Sequence, residues 1–261
     1  MDTQKNSGFT IIEVIMFLAI SSLLGVGILA TASASINAQR YQDSSRSFYS
    51  HLQSEYSRVI NVENPRSGGD LRCSPSDAVV DISGGGGASQ SRGTSECSII
   101  GRLVDISDDG TTVHSEPVYA TVDVMNDVEP PISDVAALQD SRLVTALPNS
   151  NEPELNKTDY TLEWQTRVVD TDGSAMPMRL LIVRSPLSGM IRTYAASGQG
   201  LTDINNGTAA ARDLIGQTKE ITACVDPNGL FSAVRQKSGV RIAELASSTS
   251  GLSMIGGDTC Q

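Results

Sequence analysis

Gly8-Phe9-Thr10-Ile11-Ile12-Glu13-Val14 opens the stretch that decides how this chain is built, and an uncharged run continues it from Val14 to Ala32. Between Lys5 and Arg40 the one charged side chain is Glu13. The apolarity of the run is interrupted only by Ser21, Ser22, Thr31 and the small Gly25 and Gly27. As a helix, Val14–Ala32 is roughly 28 Å long at 1.5 Å per residue, close to the hydrocarbon thickness of a bilayer. Backbone groups in lipid must be satisfied within the segment, so a helix is expected there. No comparable run occurs elsewhere in the 261 residues. One membrane segment carrying one large soluble part is the expected topology.

Glu13 stands at the mouth of this run. A carboxylate there costs a few kcal/mol on insertion scales, so an intramembrane Glu is read as functional by default. The bland alternative makes it the last interfacial residue before the membrane. Two kinds of processing fit an N-terminal apolar run. A cleavable secretory signal finds small-residue sites at Ala30-Thr31-Ala32 or Ala32-Ser33-Ala34. Its leader would be poor, however, because Lys5 is offset by Asp2 and Glu13 intrudes on the apolar core.

Gly8, Phe9 and Glu13 together account for both oddities. The segment resembles the processing motif of type IV prepilins: a short polar leader ending in Gly, an aromatic residue, and a Glu five positions into the mature chain. The resemblance covers about 30 residues in detail and the rest in architecture alone. It implies cleavage between Gly8 and Phe9 by a membrane prepilin peptidase, which also N-methylates Phe9. It further implies assembly with other pilin-like subunits by a platform and its ATPase, into a type IV pilus or a type II secretion pseudopilus. The subunit would wait in the inner (cytoplasmic) membrane as a single-pass precursor with its head outside the cytoplasm, then join a cell-surface filament. Phe9 and Glu13 become the assembly residues, the Glu13 carboxylate neutralising the Phe9 α-amino group of a neighbour. In a low-dielectric core such a pair sets register more than stability.

Helical periodicity continues past Ala32. Tyr41, Phe48, Leu52, Tyr56 and Val59 form one apolar stripe, with Arg40, Asp43, Arg46 and Arg58 largely off it. Pro65 and Ser67-Gly68-Gly69 end the pattern. One helix from about Thr10 to Asn61 is expected, roughly 75 Å if unbroken. The expected segments are a leader (residues 1–8), a membrane and polymerisation helix (9–35), an amphipathic half (36–64) and a β-rich head (65–261). The fold class is α+β, a long N-terminal helix packed on an antiparallel sheet, which also matches the pilin-like layout.

The head reads as strands and turns. Cys97–Val104 and Thr111–Val124 flank an Asp108-Asp109-Gly110 turn. Tyr160, Leu162, Trp164, Thr166 and Val168 alternate with polar residues and read as one half-exposed strand. Turns at Asp170–Gly173 and Pro186–Gly189 lead to strands at Met178–Arg184 and Met190–Ala195. A hairpin is expected from Glu220–Val225 to Leu230–Val234 around Pro227-Asn228-Gly229, with a last strand at Val240–Leu245. Gly84–Gly87 lack the flanking strand, helix and Lys-Ser/Thr of a phosphate loop, so Ser83–Ser95 reads as a flexible surface loop. Val128–Ser141, with Pro130-Pro131, reads as a surface excursion.

Four cysteines, Cys73, Cys97, Cys224 and Cys260, all follow the membrane run. An even count in an exported part favours two disulfides. Of three connectivities the local one, Cys73–Cys97 with Cys224–Cys260, is preferred, and free buried thiols are the alternative. The second bridge would resemble the C-terminal disulfide loop of many pilins.

Chemistry is sparse. There is no G-x-S-x-G, H-E-x-x-H or Walker loop, and neither of the two histidines, His51 and His114, lies near a Cys. His51 falls on the amphipathic helix and His114 on a strand edge, both ordinary polar positions. No enzyme, catalytic residue, resident metal or cofactor is expected. Asp170-Thr171-Asp172-Gly173 hints at a calcium loop but lacks the downstream Glu, so calcium stays a minor alternative to a plain turn. Nineteen Lys and Arg against 30 Asp and Glu give a net charge of −11. That balance argues against nucleic acid as a partner, since phosphate neutralisation dominates such binding. A DNA-receptor pilin would need its 15 Arg gathered in one patch. A large head tilts the reading toward a minor or specialised subunit, and a singly anchored surface binding protein or adhesin is the alternative from another class.

Overall fold

In the computed structural model the described residues are 10–61, 70–74, 79–83, 97–121, 133–145, 157–198, 207–228 and 237–260. One unbroken helix, α1 (Ile11–Asn61), carries the first fifth of the chain. It passes through Gly25 and Gly27 without interruption, and added Cβ atoms there would meet nothing within 4 Å. Leu18 and Gly27 carbonyls accept from the Ser22 and Thr31 hydroxyls, so these two polar groups of the apolar half are satisfied within the helix.

The strands follow in chain order as β1 (Asp70–Ser74), β2 (Val79–Ser83), β3 (Cys97–Ile106), β4 (Thr112–Thr121), β5 (Arg142–Thr145) and β6 (Thr158–Thr161). The second half supplies β7 (Arg167–Val169), β8 (Met178–Arg184), β9 (Ile191–Ser197), β10 (Ile221–Asp226), β11 (Ser238–Ile242) and β12 (Leu252–Gly256). Helix α2 (Asp134–Asp140) precedes β5, and α3 (Gly207–Leu214) precedes β10. All described pairings are antiparallel. A six-stranded sheet runs β5-β4-β3-β8-β9, with β6 on the other end of β4, and a four-stranded sheet runs β12-β11-β10-β7. β1 and β2 form a separate hairpin.

Alternation along β3 and β8 divides the interior. Val104, Ile106, Leu180 and Ile182 face α1 and share one core with Tyr41, Phe48, Leu52, Tyr56 and Val59. Ile221, Ala223, Val225, Val240 and Ile242 of the smaller sheet complete it. Leu103, Leu181 and Val183 point the other way, onto Leu138 of α2 and Ala211 and Leu214 of α3. With both faces covered, β8 is buried from Met178 to Val183, apolar from Leu180 to Val183 with Arg179 the one charged side chain.

Several expectations change. Among the described residues the head has two larger sheets and the β1–β2 hairpin rather than one sheet, and Leu230–Val234 lies outside the described residues. The strand that pairs with β10 is β11, further along the chain. The Tyr160–Val168 alternation is not one strand. β6 ends at Thr161, Glu163–Gln165 form a 3-10 turn, and β7 begins at Arg167 in the other sheet. The chain changes sheets at this point, with Trp164 (φ 58°) and Gln165 (φ 59°) both left-handed. Part of the Val128–Ser141 surface excursion is α2, whose Ala137 and Leu138 are buried. Ser133 caps it by accepting from the Ala136 N–H, a start signal legible in Ser133-Asp134. The Asp108–Gly110 turn forms as expected, and Gly110 (φ +73°) is required there because a Cβ would strike the Val168 carbonyl. His114 is not at an edge, since its position in β4 pairs with Asp159 of β6. The glycine run Gly84–Gly87 lies outside the described residues.

Candidate functional site

The processing residues Gly8 and Phe9 lie outside the described residues, so the motif is visible from Thr10 onward. Glu13 projects from the first turn of α1, where its Oε2 accepts from the Thr10 N–H and the Thr10 hydroxyl, both at 3.0 Å. The Thr10 Oγ1 accepts in return from the Glu13 N–H at 3.4 Å. Thr10-Ile11-Ile12-Glu13 is therefore a reciprocal capping box that satisfies two of the orphan amides of the helix start. The Thr-x-x-Glu spacing carries this signal in the sequence. Along this half the helix presents bare apolar side chains: Ile11, Leu23 and Leu29 are each more than 70% exposed. An uninterrupted helix, long and apolar enough to cross a membrane, thus begins beside a single carboxylate.

Burial of α1 begins abruptly at Tyr41. The Tyr41 hydroxyl donates to the Val225 carbonyl (2.7 Å) and accepts from the Ser238 N–H (2.6 Å). Ser44 and Thr166 share a 2.6 Å hydroxyl bond, and Ser238 donates to Ser45. Tyr56 meets the Thr193 hydroxyl at 2.8 Å, and its burial pushes the phenol up to about 12, with that bond opposing. At the end of α1, the Arg184 guanidinium donates to the Ile60 carbonyl and occupies one of the helix's unpaired terminal acceptors.

Glu55 is a charged residue fully buried within the apolar stripe. Its Oε2 accepts from Arg102 Nε at 2.8 Å and from the Ser115 hydroxyl at 2.6 Å. Arg102 also reaches Thr158, so the cluster joins α1, β3, β4 and β6. Burial lowers the Arg102 pKa, and the Glu55 carboxylate opposes that shift. One turn before Glu55, His51 stacks on Tyr160 with ring centroids 4.5 Å apart and 12° between planes. Desolvation lowers the His51 pKa, Glu55 opposes it, and Arg58 and Arg102 reinforce it. A second buried pair, Arg179 Nε to Asp105 Oδ1 at 2.6 Å, spans directly opposed residues of β3 and β8. None of these pairs was anticipated, because each depends on strand register.

Cys224 and Cys260 form a disulfide across 36 residues, packed beside Val169 and Ile255. The preferred pairing is observed here. Gly239, opposite Cys224, leaves the room, since a Cβ there would lie 3.0 Å from the Cys260 Sγ. The side chains of Cys73 and Cys97 lie outside the described residues. His114 bonds Asp159 at 2.7 Å on an exposed surface. The Asp170–Gly173 segment is a turn closed by the Gly173 N–H on the Asp170 carbonyl, with Asp172 turned to the Ser174 amide. Among the described residues no group of three or more His, Cys, Asp or Glu could hold a metal ion. No protein-family model, curated protein or solved structure matches this chain.

Proposed function

We propose that the chain is a type IV pilin-like structural subunit, made as a single-pass membrane precursor and assembled into a pilus or a secretion pseudopilus. The observation that carries the reading is Glu13. It is the one charge on an otherwise bare apolar helix half, five positions into a chain that would begin at Phe9. A simple anchor needs it only to cap the helix start, whereas a bundle of such helices can also match it with a neighbour's α-amino group. The continuity of α1 supports the same reading, because one rigid element links the apolar half to the head. In this role the chain has no catalytic task. Prepilin peptidase, other pilin-like subunits and an ATPase-driven platform are its partners, and the Thr10 capping box holds the carboxylate in place until a neighbour arrives.

Intact-mass measurement of the membrane-extracted protein from its own host tests the proposal. The expected species begins at Phe9 and carries one added methyl group. An N-terminus at Met1, Ser33 or Ser35 overturns the assignment.

A further inference from the structure

Trp164 is the only tryptophan in the chain, and the turn that carries it holds the ring outward, 45% exposed. Its backbone is left-handed, at φ 58° and ψ 30°, a conformation costing about 1–2 kcal/mol for a residue with a Cβ. The Arg40 guanidinium lies over the ring, 4.6 Å from its centroid. Arg40 immediately precedes Tyr41, the first residue of α1 that the head buries. Trp164 therefore sits on the rim of the head nearest the apolar half of the helix.

The distances along α1 give that rim an address. From Glu13 to Arg40 the helix climbs about 40 Å at 1.5 Å per residue, close to the thickness of a bilayer with its headgroup layers. Long helix side chains point back toward the N-terminus, so the Arg40 guanidinium reaches toward the membrane rather than away from it. Tryptophan is enriched at this depth, with its apolar ring at the headgroup level. Net charge contributes little: Arg167 and Lys237 are both paired with Asp226, and Glu163 precedes Trp164 in the same turn.

We propose that Trp164 and Arg40 form a lipid-contact site that seats the head on the headgroup layer of the leaflet where α1 emerges, with the ring among the glycerol groups and the guanidinium on lipid phosphate. The site rests on the reading of α1 as a membrane span and on nothing specific to pilins. It fixes the depth and tilt of the waiting precursor, and it must release when the subunit leaves the membrane.

The test uses the full chain in phosphatidylcholine vesicles, whose tryptophan emission comes from Trp164 alone. The expected emission is blue-shifted, strongly quenched by lipids brominated near the headgroup and much less by lipids brominated deep in the acyl chain. Arg40→Glu sets a carboxylate against the phosphates and is expected to cut that quenching. Vesicle-bound protein whose Trp164 is quenched by iodide but not by either bromolipid overturns the site and leaves the membrane span standing. Equal quenching in Arg40→Glu overturns the role of Arg40. Failure of the chain to float with the vesicles overturns the span and the site together.

Discussion

Glu55 of α1 and Arg102 of β3 meet inside the head with Nε 2.8 Å from Oε2, and the Ser115 hydroxyl closes the same carboxylate oxygen. Beside the hydroxyl bonds of Tyr41, Ser44, Ser45 and Tyr56, this buried ion pair takes the place in the apolar stripe that one more leucine could fill. It is useful for orientation, because two desolvated charges tolerate only one rotation and one register of α1 against the sheet. Its net contribution to stability is a separate matter, since desolvation offsets much of the attraction.

Glu55→Ala is expected to destabilise the head by about 3–5 kcal/mol, because Arg102 is left as an uncompensated buried charge. Replacing both, as Glu55→Leu with Arg102→Met, is expected to cost much less. Urea unfolding of the single and double variants checks this, and equal losses in the two would contradict it.

The pH dependence of stability is expected to carry the signature of His51. Desolvation lowers its folded pKa below that of an ordinary imidazole, about 6.5. Stability from this group is therefore complete above about pH 6.5 and declines below it, as the unfolded chain takes up the proton first. Asp105 and Glu116, raised by burial, act in the opposite sense as their carboxyls protonate. His51→Phe keeps a ring on Tyr160 but removes the titration. Thermal unfolding from neutral pH to about pH 5 should show less loss in the variant than in the parent.

Cys224→Ser with Cys260→Ser should cost about 3–4 kcal/mol on the chain-entropy estimate for a loop of this length. The bridge ties the tail after β12 to an interior strand of the smaller sheet, so the loss should appear first as early exchange of β11 and β12 amides. Denaturant midpoints and hydrogen exchange report on it, and an unchanged midpoint would show that packing around Val169 alone holds the tail.

Glu13→Leu is expected to leave export and head folding intact while blocking incorporation into filaments. Co-expression of tagged variant and wild type, followed by shearing of surface filaments, measures this. Incorporation at the wild-type level would transfer the protein to the class of singly anchored binding proteins.

A head lacking residues 1–35 is expected to be soluble and monomeric, since the contiguous run of bare apolar side chains, Ile11 to Leu29, is removed and the exposed ones that remain, such as Leu187 and Met190, are scattered. Filament cohesion would then rest on burying those side chains, at about 25 cal/mol per Å² of apolar area withdrawn from water. Sedimentation equilibrium is the check. A high-order soluble oligomer would place the cohesion in the heads.

The sequence by itself determined α1 almost to the residue. The uncharged run and the Tyr41, Phe48, Leu52, Tyr56 and Val59 stripe are local patterns, and all five stripe residues are buried. The turns at Asp108–Gly110, Asp170–Gly173 and Pro186–Gly189 were legible for the same reason, because a short stretch contains everything that makes a turn. Tertiary structure decided the rest. Glu55 breaks an apolar stripe, and only the register of β3 and β4 brings Arg102 and Ser115 to it. Alternation from Tyr160 to Val168 fits a single strand perfectly well, yet the two ends pair with different sheets, and no local preference records where a chain must cross between them. The two-residue period sets Trp164 on the same face as Leu162 and Val168, which are buried. Trp164 is exposed because the crossing turns the backbone left-handed beneath it, and pairing with β4 on one side and β10 on the other outweighs the local cost.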